Sequence, residues 1–534
     1  MTNSKSKKLL LTSVCQPFGV PYGDAFGVTH DGSFQLFWAQ GIFRPFNTTT
    51  QWSIDFIAEN LEIPTTNLHY PTMSRFIKEI KKGYDYIGIA FNCSTMHKMV
   101  AMTEVIRRFA PHSKIILGGY GTVLPDDEIK QYADYICREE GVGFMRRLLG
   151  EPAHNTFKQP MIVARSNLLS LPLVAKYGHI LGGLGCPNGC DFCSTSHYFN
   201  RKYIPFLPDG KSFINTIMRY RELYPSMIYF HINDEDLLLN KKRAMEFLEE
   251  MRKSNLPPLS ISAVSSVKAL SQYSASELVE MGFDLFWIGF EGRQAGYQKM
   301  QGRPYRELVD DLRHHGISVL ASVMIGFDYQ TSETIREEFA ELIKLRPAIC
   351  QFLIYGPIVG TPFHERMKAE GRLIPEIIGN KKLYNGFSLP FKHPHISGEE
   401  MSEIQLGLYR KEFELLGPSI FRIMEDNLNG YINLRDHPSP RVRAKTRLYK
   451  KMARNALMLI PASKRYLNAN VNEWLETFQK RISAEAGDIT TKEIIMSKIA
   501  PIFLKLTDLK IRYNIGMQPK FTRRTYRMIR KLGK

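Results

Sequence analysis

Cysteine is scarce in this chain, with seven in 534 residues, an odd number spread thinly. That excludes a secreted disulfide framework and suits a reducing compartment. Long apolar runs are missing as well. No stretch approaches the roughly 18 consecutive apolar residues that a membrane-crossing helix needs, so the expectation is a protein that does not span a bilayer. Lys7 and Lys8 before Leu9, Leu10 and Leu11, then Cys15, faintly imitate a leader peptide. The apolar run is too short and Val14 is not the small residue such a cleavage site wants, so the segment reads as a first core strand. There are no internal repeats and no low-complexity tract. Acidic residues are scarce in one place. From Arg435 to Lys534 there are 7 Asp+Glu against 24 Lys+Arg, a surplus of 17 that accounts for nearly all of the formal +18.

What is present suits a multi-domain globular protein: 44% hydrophobic and 23% charged residues, and a length of about three domains at roughly 150 residues each. Between Tyr84 and Leu149 short apolar runs (86–91 and 114–117) flank a helical pattern over 95–110, which implies parallel strands joined by a right-handed crossover. Residues 16–55 fit no period. From about Tyr177 the alternation restarts, with strands expected near 179–184, 228–232, 259–263, 285–290, 319–325 and 349–353 and helices between them. After Gly371 the pattern becomes mainly helical, and Pro438 and Pro440 mark a linker. The expected class is α/β: a doubly wound N-terminal domain over 1–160, a partial (β/α)6 TIM-like barrel over 170–375, a helical extension over 376–437 and a helical, basic C-terminal region over 438–534. In such architectures the chemistry sits in loops that follow strands.

The most informative loop is Gly185-Cys186-Pro187-Asn188-Gly189-Cys190-Asp191-Phe192-Cys193, directly after the first strand of the second repeat. Three thiols in one loop can converge on one metal centre, yet leave a four-coordinate site or a four-iron cluster one ligand short. The open position is where a substrate or cofactor binds. A zinc site completed by His197, or three unrelated thiols, would also satisfy the composition.

The CxxxCxxC spacing, with an aromatic residue before the last cysteine, resembles the radical S-adenosylmethionine (SAM) superfamily. The resemblance implies that Cys186, Cys190 and Cys193 hold a [4Fe-4S] cluster whose fourth iron chelates SAM. Reductive cleavage by an external electron donor would then give a 5′-deoxyadenosyl radical. Asn233-Asp234-Glu235-Asp236 resembles the acidic loop that receives the SAM amino group, with Asp234 and Glu235 as candidates. A solvated acidic turn is the plainer alternative. Trp287-Ile288-Gly289-Phe290-Glu291 resembles a fourth-strand motif whose glutamate, here Glu291, lies near the cofactor. Met324-Ile325-Gly326-Phe327-Asp328 and Gly360-Thr361-Pro362 resemble the turns closing the fifth and sixth strands, although Asp328-Tyr329-Gln330 and Val359 depart from the pattern.

Tyr84-Asp85-Tyr86-Ile87-Gly88-Ile89, then Gly118-Gly119, then Arg138-Glu139-Glu140-Gly141, resemble the cobalamin (B12)-binding-like domain that precedes the barrel in one radical SAM subgroup. Gly118 and Gly119 at a strand end would let the backbone approach a flat ligand. No Asp-x-His-x-x-Gly motif supplies an axial histidine, and His69 and His97 stand in the wrong context. With cobalamin bound, the resemblance implies methylation of an unactivated carbon, one SAM supplying the methyl group and a second the radical. Without cobalamin it implies cyclisation, rearrangement or carbon–carbon coupling.

The basic C-terminal region interleaves bulky apolar residues with Lys498, Lys505 and Lys510 between 499 and 511, which suits peripheral contact with an anionic membrane surface. That makes a lipid or isoprenoid substrate the favoured small molecule, and the cytoplasm, peripherally at the inner membrane surface, the favoured location. Arg523, Arg524, Arg527 and Arg530 could instead attract RNA, as in a metal-binding RNA-interaction protein without turnover. His393 and His395 are acid/base candidates at the mouth of the second repeat.

Overall fold

The structure, a computed structural model, describes residues 7–19, 36–47, 50–153, 156–168 and 174–527. It is mixed α/β with two largely parallel sheets. The first holds β1 (Leu9–Ser13), β3 (Thr65–His69), β4 (Tyr86–Ala90), β5 (Lys114–Gly118) and β6 (Tyr135–Ile136), mutually parallel in the order β3-β1-β4-β5-β6. The order reverses between β1 and β4, which is where a doubly wound sheet opens a crevice at the carboxyl ends of its strands. The strands are apolar on both faces because both are covered. Leu10, Ile87, Ile89, Ile115 and Leu117 pack with Met99, Met102 and Ile106, while Leu9, Leu11 and Ile116 pack with Ile54, Ala58 and Met145.

The second sheet comprises β2 (Pro45–Asn47), β7 (Ile162–Leu168), β8 (Val174–Leu181), β11 (Tyr229–Asn233), β12 (Ser260–Val264), β13 (Phe283–Gly289), β14 (Ser318–Ile325) and β15 (Ile349–Ile354). A separate two-stranded ribbon of β9 (Gly183–Leu184) and β10 (Ile204–Pro205) brackets the cysteine loop. β8 and β11 to β15 are parallel, and each leads into helix: Gly210–Leu223, Lys241–Lys253, Ala275–Met281, Tyr305–His314, Ser332–Lys344 and Pro362–Ala369. The two-residue period sorts the faces. Phe230, Ile232, Ile261, Ala263, Phe286 and Ile288 pack in the core with the helices. His179, His231 and Ser262 stand in register on the opposite face.

The long helices Gly398–Leu416, Ser419–Leu434, Pro440–Ser463, Ala469–Ala486 and Thr491–Arg512 follow, and the last four of them gather around Phe421, Leu428, Leu457, Phe478 and Leu504. The segment that showed no period in the sequence serves several surfaces at once. Leu36 and Phe37 lie against Leu285, Trp287 and Leu320 of the second sheet. Ile42 and Phe43 enter the core of the C-terminal helices. β2 adds antiparallel to β7. Gln40 joins a buried hub, accepting from Ser419 N at 2.9 Å and donating to Glu412, which is ion-paired with the fully buried Arg422.

One difference from the sequence-based expectation concerns the C-terminus. It is not helical throughout: Thr522–Tyr526 forms β16, antiparallel to β3 at the edge of the first sheet. The β-branched threonines and Tyr526 favour a strand, and the charges find partners there. Arg523 pairs with Glu79 at 2.9 Å and Arg524 with Asp55 at 2.7 Å. Asp55 also accepts from Tyr526 and sits 3.0 Å from His69. Arg523 and Arg524 are therefore structural ties between the two ends of the chain, which weakens the RNA alternative. Arg530 lies outside the described residues.

Candidate functional site

The cysteine loop leaves β9 and is fixed by polar contacts at every turn. Ser196 Oγ donates to Cys186 O at 2.7 Å and accepts from Gly189 N at 3.0 Å. Asn188 Nδ2 donates to Asp236 at 3.0 Å, and Phe363 N donates to Asp191 O at 3.0 Å. Gly185 and Gly189 take left-handed backbone conformations that the tight path requires. Burial pushes the Cys186 thiol up to about 12 and the Cys190 thiol to about 11, and raises Cys193 as well. Such thiols ionise readily only beside a cationic centre, which is what an iron–sulfur cluster provides. Among the described residues no three His, Cys, Asp or Glu side chains are gathered on a common point. The three thiols share one loop, Cys186 and Cys190 buried and Cys193 partly so, and Cys193 is electrostatically coupled to the other two.

Loops after the parallel strands converge on this one. After β11, the two adjacent acids separate in role. Asp234 is buried in an ion pair with Arg243 at 3.1 Å and accepts from Tyr203 at 2.5 Å. Burial pushes its carboxyl up, and Arg243 and Tyr203 oppose that. Glu235 has no hydrogen-bond or ion-pair partner among the described residues, although burial and the neighbouring Asp234 push it up to about 7, and its charge is felt at Cys186, Cys193 and Tyr120. Asp236 accepts from Ser265 Oγ and Ser266 N at 3.1 and 3.0 Å and so holds Asn188 of the cysteine loop.

After β13, Glu291 adopts a left-handed φ of 45°, an unusual conformation for a glutamate, and pairs with Lys299. Its Oε2 is buried without a partner. Lys299 lies 5.4 Å from the centre of the Phe192 ring and is electrostatically coupled to Cys190 and Cys193. Tyr297 donates to Asp191 at 2.6 Å, and Tyr355, after β15, donates to the same carboxylate at 3.0 Å. Phe327, after β14, stacks on Tyr355 at 4.4 Å. Tyr297 and Lys299, in the loop after β13, and Tyr355, after β15, escape the sequence reading because no short spacing links them to Asp191 and Phe192 of the cysteine loop. In the fifth turn, Gln330 caps Gly326 N and Phe327 N at 2.7 and 3.0 Å. His393 is engaged at both ring nitrogens, with Phe327 O at 2.9 Å and with the Ile396 amide at 3.1 Å, which leaves it no free nitrogen for acid/base work.

The crevice of the first sheet adjoins the same place. A cavity of about 230 Å³ lies at the carboxyl ends of β1, β4 and β5, lined by Ser13, Phe91, Gly118, Gly119 and Tyr120 on one side and Leu184, Tyr198 and Phe199 on the other. Tyr198 ends the short helix that follows Cys193. Tyr120 accepts from Thr195 at 3.2 Å and meets Tyr198 edge-on at 5.3 Å. A Cβ added at Gly118 would meet nothing within 4 Å, so the floor is open where a flat ring could lie. Gly119, at φ 87°, is needed for a close approach: a Cβ there would come 2.6 Å from Phe91 O.

His179 and His231 stand edge-to-face at 5.8 Å, His231 3.0 Å or closer to Ser262 Oγ (2.9 Å) and His179 3.0 Å from Asn233. Burial lowers their pKa values to about 3 and about 4. Both groups take up protons near 6.5 when unfolded but stay neutral in the fold. At these two sites the unfolded state therefore binds more protons below pH 6.5, so their contribution to stability falls as pH drops from 6.5 towards 4. Thermal denaturation between pH 7.5 and pH 5 should show this loss, and His231→Gln should flatten the slope. An unchanged slope would reject the assignment.

No protein-family model matches the chain. It is 24% identical over 383 residues to bacteriochlorophyllide d C-12(1)-methyltransferase of Chlorobaculum tepidum, covering 64% of this chain and 77% of that one. It is 25% identical over 369 residues to hopanoid C-2 methylase of Rhodopseudomonas palustris, covering 64% and 65%. Among solved structures it resembles TsrM of Kitasatospora setae, a radical SAM methyltransferase with cobalamin and a [4Fe-4S] cluster bound, at a TM-score of 0.54 and 12% identity, over 84% of this chain and 100% of that one. The chain is thus similar in sequence to a methyltransferase and a methylase and shares the fold of a solved radical SAM methyltransferase.

Proposed function

We propose that this protein is a cobalamin-dependent radical SAM methyltransferase that methylates an unactivated carbon of a small, lipid- or isoprenoid-like molecule. The observation that carries the reading is adjacency: Tyr198, which ends the helix following Cys193, lines the glycine-floored crevice of the first sheet, so the cysteine loop and the crevice are neighbours. When bound, the cluster supplies the electron that cleaves SAM and cobalamin supplies the methyl group. Cys186, Cys190 and Cys193 would hold the cluster. Glu235, a carboxylate without a partner, would receive the SAM ammonium, with Asp234 and Arg243 fixing its backbone. Glu291, held by Lys299, would present its unpaired Oε2 to the same cofactor. Gly118 and Gly119 would carry the corrin face, and Tyr120 would separate the two centres while excluding water. Phe192, Tyr297, Phe327 and Tyr355 form an aromatic wall against which an apolar substrate can rest.

Within this reading the six parallel strand–helix repeats are a partial (β/α)6 TIM-like barrel over 170–375, preceded by the cobalamin-binding-like domain of 1–160. The helical extension of 376–437 and the basic C-terminal region of 438–534 buttress it. The location that goes with the reading is cytoplasmic, peripheral at the inner membrane surface, with electrons from an external donor.

The test is the metal content and products of protein purified without oxygen from cells supplied with cobalamin. About four iron and about one cobalt per chain are expected, together with 5′-deoxyadenosine and transfer of labelled methyl from SAM into the lipid fraction. Iron without cobalt would move the assignment to a cobalamin-free radical reaction such as cyclisation, rearrangement or coupling. Zinc without iron would remove it.

A further inference from the structure

The helix Thr491–Arg512 buries Glu493, Ala500, Leu504, Thr507 and Ile511. Its other face is exposed and apolar: Ile495 is 53% exposed, Ile502 61%, Leu506 45%, Leu509 39% and Tyr513, just past the end, 71%. Positions 495, 502, 506, 509 and 513 advance by 7, 4, 3 and 4 residues, which keeps them on one line of a 3.6-residue helix. At about 100° per residue, Lys498 and Lys505 flank that line on one side and Lys492 and Lys510 on the other. The sector between those flanks holds no carboxylate. Glu493 faces inward in an ion pair with Arg454, and Asp508 lies beyond the edge, paired with Arg512 at 2.9 Å.

Much of the remaining positive charge of this region is used inside the molecule. Lys445 is buried against Asp284, and Arg523 and Arg524 hold Glu79 and Asp55. The helix Thr491–Arg512 is where the exposed charges of Lys492, Lys498 and Lys505 coincide with exposed hydrocarbon. A second copy would bring the same lysines against these, and like charges would oppose pairing. Phosphate of a nucleic acid would leave a line of aliphatic side chains unexplained. An anionic bilayer satisfies both features, because hydrocarbon enters the acyl boundary while lysines reach the headgroups.

We propose that this face docks in plane on an anionic lipid surface, with Ile495, Ile502, Leu506, Leu509 and Tyr513 inserted and Lys492, Lys498 and Lys505 at the headgroups. The inference names the surface behind the membrane-facing part of the proposed function and rests on that reading only for the benefit of a lipid-like substrate. Binding itself is independent of turnover.

The test is flotation of the full chain with vesicles of phosphatidylcholine alone or mixed in equal parts with phosphatidylglycerol, for the parent, I502E/L506E and K492Q/K498Q/K505Q. Binding is expected only with the anionic vesicles, weakening as salt shortens the reach of the charges. I502E/L506E should abolish it. The triple lysine variant should weaken it on the order of a hundredfold, about fivefold for each charge. Both variants should cleave SAM as the parent does, because the face is remote from the cysteine loop. Failure of the parent to bind anionic vesicles, or binding indifferent to both variants, overturns the proposal. So does loss of a parent dimer in I502E/L506E, seen by sedimentation, with vesicle binding retained. Protein that floats but holds no iron would keep this surface while removing the radical reaction.

Discussion

Cys186→Ala is expected to lose iron and to form no detectable 5′-deoxyadenosine while still taking up cobalamin, and Gly118→Leu is expected to do the converse. Loss of groups that merely orient a metal ligand lowers activity roughly 10–100-fold, and loss of a cluster ligand exceeds that. Cys186 is buried on a loop anchored by Ser196 and Asn188, so alanine leaves the surrounding contacts in place. Gly118 ends β5 with open space where a side chain would begin, so leucine fits the sheet and projects into the crevice. Cobalt should fall to background and methyl transfer with it, while SAM cleavage at the cysteine loop continues without a methyl acceptor step. Gly119→Leu is not an equivalent probe, because its left-handed backbone and the nearby Phe91 carbonyl make misfolding the expected result. Full cobalt binding in Gly118→Leu would mean that the crevice of the first sheet is not the cobalamin site.

The cysteine loop was legible because its chemistry is contiguous: three thiols within eight residues, Cys186 to Cys193, need no knowledge of the fold to be read together. The strands of both sheets were legible for a related reason, since buried parallel strands are short apolar runs separated by helices. Lys299 and Tyr355 were not, because they reach Phe192 and Asp191 only once the loops after β13 and β15 are brought over the cysteine loop. β16 was hidden by its charge. Arg523 and Arg524 resemble a phosphate-binding pair until Glu79, 444 residues away from Arg523, and Asp55 are placed opposite them. Residues 36–47 carried no period because consecutive side chains there face the second sheet, the buried Gln40 hub and the C-terminal helices in turn. Asp234 and Glu235 were legible as a pair but not as individuals, since only the position of Arg243 decides which is spoken for.

That distinction sets the second large effect. Arg243→Met is expected to destabilise the protein by about 3–5 kcal/mol, because it leaves the Asp234 charge buried with only the Tyr203 hydroxyl and the Asp236 amide against it. Adding Asp234→Asn should recover a large part of the loss, since removing both charges is far less costly than removing one. Glu235→Gln should behave in the opposite way. With no partner to lose among the described residues and a disfavoured buried charge removed, its unfolding midpoint should be no lower than the parent's. Its KM for SAM should rise by roughly 10–100-fold, the worth of a hydrogen bond to a charged group. Denaturant unfolding of the parent, Arg243→Met, Asp234→Asn, their double variant and Glu235→Gln, beside SAM titrations of the parent, Asp234→Asn and Glu235→Gln, separates the roles. If Asp234→Asn alone raises KM while leaving stability unchanged, the two acids must exchange places, with Asp234 the cofactor ligand and Glu235 the support. The same cycle would then show no coupling between Asp234 and Arg243, which a buried pair at 3.1 Å cannot give unless the acidic loop rearranges when SAM binds.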